Sequence, residues 1–190
     1  MIKVTEKNVY LPKYNNDVHI HIITPVNDDM VVSLTEKDED LINNIIINQI
    51  IFNLDKCIKA YEKSELPDRF INQQSFIITN SIPKDLFGCY MYNGDIYLNP
   101  DVLSGICFLS NKFIFGHEMA HKIEKYRNLE ELYTVIRRIY DTNDETFLKE
   151  VFSDICGTLV SKKMEITRYP LNEEIYNNLK QKTLKCIYRG

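Results

Sequence analysis

The apolar positions change their period twice along the chain. Residues 2–11, IKVTEKNVYL, and 18–25, VHIHIITP, alternate or run in β-branched residues and predict two strands, the second ended by Pro25. From Thr35 the spacing becomes helical: Ile42, Ile46, Ile50, Leu54 and Ile58 recur at i+4 on one face, and Asn43, Asn44, Asp55 and Lys59 lie off it. Thr35, with Asp38 three residues on, forms a capping-box-like start for this long helix. SFIITN (75–80) predicts a short strand, and 88–100 predicts a hairpin whose Asn93-Gly94 centre suits a type I′ turn. From 111 onward the pattern is helical, over about 111–127, 129–141, 145–163 and a last helix beyond Pro170. Strands with one long helix come first and helices follow, which argues for an α+β fold.

Composition narrows the classes without choosing among them. With 190 residues, 44% of them hydrophobic and 26% charged, the chain suits one well-cored domain, or two small lobes sharing a cleft. The net charge of −4 and pI near 5.6 offer no basic surface for nucleic acid or anionic lipid, and leave a peptide or protein substrate open. The N-terminus does not read as a signal peptide, and the most apolar run, IIINQIIF (45–52), is far shorter than a membrane span and contains Asn48 and Gln49. Cys57, Cys89, Cys107, Cys156 and Cys186 are odd in number, scattered and free of C-x-x-C pairs, a pattern of reduced thiols. The expectation is a soluble, cytoplasmic protein.

Candidate chemistry concentrates in FIFGHEMAHKIEK (113–125). On a helix, His117 and His121 share a face, and two imidazoles at that spacing suit tetrahedral zinc with room for a third ligand and a water. Glu118, about 100° further round the helix, falls beside such a metal, where it can take a proton from the water and later pass it to a leaving amine. The plain alternative is a helix with two unrelated histidines, so the motif needs a third ligand. A histidine three residues after a Gly turn is excluded, because Glu124 and Arg127 stand at those positions. His19 and His21 share one face of a strand, which a solvated face explains equally well. In ETFLKEVFSDICGTLV (145–160), Glu150 and Asp154 lie one turn apart, while Leu148, Phe152, Ile155 and Leu159 form an apolar face. Glu150 can complete a His-His-Glu set, Asp154 can fix the tautomer of a ligating histidine, and Gly157 would let this helix approach the His117 helix closely. Taken alone, the two acids read first as a solvated pair, since charged pairs at i+4 usually lie in water.

Together, HEMAH and EVFSDICGTLV resemble the thermolysin-like gluzincins, whose second zinc helix carries N-E-x-x-S-D followed by a segment close to I-F-G-T-L-V; Lys149 stands where Asn is usual. The resemblance spans roughly 88–160. It implies a zincin-like fold with a small twisted sheet, a long backing helix, an active-site helix and a reduced helical C-terminal part, divided near 121/122 with the cleft between. It also implies one zinc per chain on His117, His121 and Glu150, with Glu118 as general base and Asp154 behind His117. CYMYNGD (89–95) is similar to the family's substrate-binding edge strand, so Gly88, Cys89, Tyr90, Met91 and Tyr92 are expected to pair with an extended peptide, Cys89 replacing the usual Asn. RIYDTND (138–144) is similar to the Ile-Tyr segment before the glutamate helix, with one residue inserted, and implies Tyr140 as a donor to the oxyanion. The family's second donor, a histidine of a large C-terminal lobe, has no counterpart, because no histidine follows His121. Arg168, Tyr169 and Tyr176 are the candidates to replace it. No calcium loop is evident. The implied activity is that of a zinc endopeptidase, with a zincin-fold binding module or a narrow regulatory protease cutting one partner protein as alternatives.

Overall fold

In a computed structural model, residues 2–25, 35–64, 74–83, 86–104, 109–165, 167–169 and 171–188 are described. Alternation is realised most plainly in β2 (Asn16–Pro25), where Val18, Ile20 and Ile22 are buried and His19, His21 and Ile23 between them are half-buried. It pairs antiparallel with β1 (Ile2–Leu11), from Ile2 opposite Pro25 to Leu11 opposite Asn16, and parallel with β3 (Ser75–Thr79). Next to β3 runs β5 (Ile96–Leu98), parallel to it, and then β4 (Gly88–Tyr90), antiparallel to β5. The sheet therefore has five strands in the order β1-β2-β3-β5-β4, with β4 at an edge.

The hairpin differs from the sequence expectation. Its strands are shorter, so Met91 and Tyr92 belong to the turn rather than to β4, and Tyr92 is 90% exposed. The Gly94 N–H donates to Met91 O at 2.9 Å and the Met91 N–H to Asp95 O at 2.9 Å. Only Gly94 takes a positive φ (97°), whereas a type I′ turn requires Asn93 to do so as well. The Asn93 side chain instead bonds forward, accepting from the Asp95 N–H at 3.1 Å and donating to its carboxylate at 2.7 Å. That favours the wider loop with a left-handed glycine.

Helix α1 (Glu36–Ala60) starts at the expected box: Asp38 accepts from the Thr35 hydroxyl at 2.6 Å and from its N–H at 3.1 Å. Its apolar stripe is buried only from Ile50 through Leu54 and Ile58; Ile42 is exposed, Ile46 half-buried, and Leu41 and Ile45 are exposed beside them. Period decides which residues share a face, and not whether another element packs along its whole length.

The chain parts into two units, residues 1–55 with 71–108, and residues 56–70 with 109–190. The first holds the sheet and a short helix, α2 (Pro100–Ser104). The second holds α3 (Asn111–Glu124), α4 (Glu130–Tyr140), α5 (Glu145–Ser161) and α6 (Glu173–Tyr188). The His117 helix thus groups with the Glu150 helix, although the resemblance puts it with the sheet.

Within the second unit α5 is central. Asp144 caps it, accepting from the N–H groups of Thr146 at 2.9 Å and Phe147 at 3.3 Å, and Lys162, in the left-handed region at φ 59°, ends it. Every residue from Val151 to Thr158 is buried, so the helix is enclosed on all sides rather than along one apolar face, and Leu159 is half-buried. Truncating Phe152, fully buried, to Ala would cost about 3–5 kcal/mol. Two glycines set its approach to α3. A Cβ on Gly157 would lie 2.9 Å from the Phe113 ring and carbonyl oxygen, and one on Gly116 would lie 2.9 Å from the Gly157 Cα and the Val160 side chain. Among the described residues no helix is long and apolar enough to cross a membrane.

Candidate metal centre

Four of the residues singled out in the sequence converge where α3 and α5 meet. Ser110 caps α3, accepting from the Phe113 N–H at 3.3 Å, and the helical turn then stacks the rings of His117 and His121, 5.3 Å apart between centroids and edge-to-face. From α5, Glu150 reaches both: its carboxylate oxygens lie 3.3 Å from His117 Nε2 and 3.8 Å from His121 Nε2. One ligand atom from each of His117, His121 and Glu150 falls within 4.8 Å of the others, making this triad a possible metal-binding site.

The surroundings favour that use. The buried Asp154, one turn beyond Glu150, lies 2.9 Å from His117 Nδ1 and accepts its N–H, so that Nε2 is the ring nitrogen turned to Glu150. Asp154 is therefore no solvated acid, and Glu150 keeps only 28% of its side chain exposed. Glu124 sits 3.3 Å from His121 Nδ1, the ring nitrogen away from Glu150. Its i+3 spacing from His121 on one helix is the sequence signal of that contact. Ser153 places its hydroxyl 3.4 Å from both ring nitrogens of His121.

The electrostatics favour positive charge between the two helices. Burial works against a charged His117, yet hydrogen bonds to Asp154 and Glu150, with the nearby Glu118 charge, raise its pKa to about 10. Burial likewise pushes the Glu150 carboxyl up, but the hydrogen bond from His117 and the charges of His117, His121 and Arg168 hold it below the usual value. Several carboxylates thus surround two imidazoles, and a donor set of two nitrogens and one oxygen, with the tautomer of His117 fixed from behind, fits a divalent transition metal. Glu118 is buried on α3, its charge within reach of His117.

The other expected residues divide. Tyr140 closes α4, and its ring packs edge-on against Phe147 at 5.1 Å between centroids; Phe147 in turn meets Tyr169 at 5.1 Å. Burial, then the charge of Asp154, raises the Tyr140 hydroxyl above its ordinary pKa; for Tyr169 burial, then the charge of Glu150, does the same. Tyr140 on α4 and Tyr169 after α5 thus meet the same ring of α5, that of Phe147, three residues before Glu150. The exposed Arg168 is also within charge reach of Glu150. Tyr176 is buried, with Lys180 Nζ 5.7 Å from its ring centroid, and burial, then the charge of Cys156, raises its hydroxyl above the ordinary pKa. His19 and His21 contact Asn8 and Glu6 across the strand pair and join no metal-holding cluster among the described residues. Gly88, Cys89 and Tyr90 lie on edge strand β4 of the first unit, with Met91 and Tyr92 in its turn; the triad lies in the second unit. Comparison with protein-family models, with curated proteins and with solved structures gives no match.

Proposed function

We propose that the chain is a zinc-dependent endopeptidase of gluzincin type with a zincin-like fold, in which His117, His121 and Glu150 hold the metal. The observation that carries this reading is the joint placement of the triad, of Asp154 on His117 Nδ1, and of the buried Glu118 one residue from His117. When bound, zinc would supply Lewis acidity, lowering the pKa of a water and polarising a peptide carbonyl. Asp154 holds His117 in the tautomer that presents Nε2, and Glu124 steadies His121 from behind in the same way. Glu118 takes the proton of the attacking water and returns it to the departing amine. Tyr140, held against Phe147, donates to the developing oxyanion. For the second donor we take Tyr169, whose ring meets Phe147, or Arg168; the charge interaction of each with Glu150 supports that choice.

Strand β4 has β5 as its one partner in the sheet order, so its other edge is the one to which an extended peptide can add. The second reading is a zincin-fold binding module, in which the same three residues hold a metal without peptide cleavage. Proteome-wide cleavage profiling of wild type against Glu118→Gln decides between them. Cleavages lost in the variant while metal is retained support the peptidase; identical profiles for the two proteins support the binding module.

A further inference from the structure

Residues from Met164 to Glu173, after the end of α5 and into the start of α6, include the lining of an open pocket of about 460 Å³ that contains none of the metal-binding residues. Its walls include Met164, Leu171 and the ring of Tyr169, with Thr167 between them. Two acids also line it, Glu165 and, at the first turn of α6, Glu173. Glu165 is the unusual member. Its side chain is only 4% exposed, and its Oε1 is buried with no hydrogen-bond partner among the described residues. Its other oxygen meets Lys163 Nζ at 3.3 Å, but that lysine is 70% exposed and hydrated, so it compensates a buried carboxylate poorly. A carboxylate taken out of water with one oxygen unanswered calls for a donor from a ligand. The pocket volume is in the range of small-ligand sites, and apolar walls around an acidic group suit a long aliphatic stem with a cationic head, with the Tyr169 ring as a further surface for the cation.

Tyr169 ties this pocket to the metal centre. Its ring stacks on Phe147, which precedes Glu150 by one turn of α5, and its hydroxyl feels the Glu150 charge. We infer that the pocket receives a lysine or arginine side chain of a bound peptide, with Glu165 as the recognising carboxylate. On the peptidase reading above, on which the cleavage part of this inference rests, its occupant sets which peptides are cut.

The test uses two readouts on the full chain. In the first, the pentapeptide Ala-Ala-Lys-Ala-Ala and its norleucine counterpart are titrated into Glu118→Gln protein and followed by NMR. The lysine peptide is expected to bind at least tenfold more tightly, and adding Glu165→Gln should erase the preference. Equal binding of the two peptides, which needs no pocket variant and no folding control, overturns the inference, as does a preference that survives in a folded Glu165→Gln protein. In the second, zinc-loaded wild type digests a peptide library. Cleavage next to lysine and arginine that becomes indiscriminate in Glu165→Gln supports the specificity role, and cleavage without basic preference overturns it. A lysine preference in binding with no cleavage by wild type would sink the peptidase reading and leave the pocket assignment supported.

Discussion

Two pairs of histidines occupy opposite situations in this molecule. His19 and His21 point from one face of β2, each toward an acceptor on β1: Asn8 at 2.6 Å, and Glu6, itself 71% exposed, at 3.4 Å. His117 and His121 point from one face of α3 toward a second helix, where Glu150 reaches both rings and the buried Asp154 holds one of them. Both pairs have the period of their element, and both have acids or amides nearby. The difference is a second helix that packs closely enough to bring one half-buried carboxylate to both rings. Side-chain period makes a pair; helix packing makes a site.

The contrast breaks most decisively at Glu150. Glu150→Ala should weaken zinc binding by on the order of 100-fold or more in a chelator competition, because it removes the one group that both histidines share. An unchanged affinity would mean that Glu124 or another acid is the third ligand. The approach of the two helices is tested next, by Gly157→Ala, whose new methyl would meet the Phe113 carbonyl oxygen at 2.9 Å. Forcing α3 and α5 apart should cost about 1–3 kcal/mol in denaturant unfolding and loosen metal binding with it.

The partners behind the histidines sharpen the comparison further. Asp154→Asn should weaken zinc about 10–100-fold with the fold retained. Glu124→Gln should weaken it less, since its contact with His121 is longer, 3.3 Å against 2.9 Å. Equal effects in calorimetric titrations would show that the two second partners are equivalent. Smallest of all, the double change His19→Ala with His21→Ala should leave zinc affinity unaltered and shift stability by no more than about 0.5 kcal/mol, read by thermal melting.

Much of this was legible in the chain, because it depends on period. The strands of the sheet, the box at Thr35 and Asp38, and the helices carrying His117 and Glu150 follow from local pattern alone. So does Gly157 as a point of close contact, whereas its counterpart Gly116 gives no local sign, since a glycine inside a helix shows its purpose only against the surface it meets. Two features stayed out of reach for the same reason. The stripe of α1 is not buried before Ile50, and α5 is enclosed all round where its sequence suggested one apolar face; both depend on what packs nearby rather than on the residue and its sequence neighbours. The hairpin is a different case, a local choice between two turns that one Asn-Gly pair permits, decided by the bonds of the Asn93 side chain to Asp95. Glu165 belongs with the first two: in sequence it is one acid beside lysines, and only burial with an unpartnered oxygen distinguishes it.

The central claim is that two histidines of α3 and one glutamate of α5 form a zinc centre. Its most direct test is the metal content of purified wild-type protein, measured by mass spectrometry beside Glu150→Ala. The account predicts close to one zinc per wild-type chain and little in the variant. Wild-type protein that holds no zinc after exposure to a modest excess, or a variant that holds as much as wild type, would contradict it.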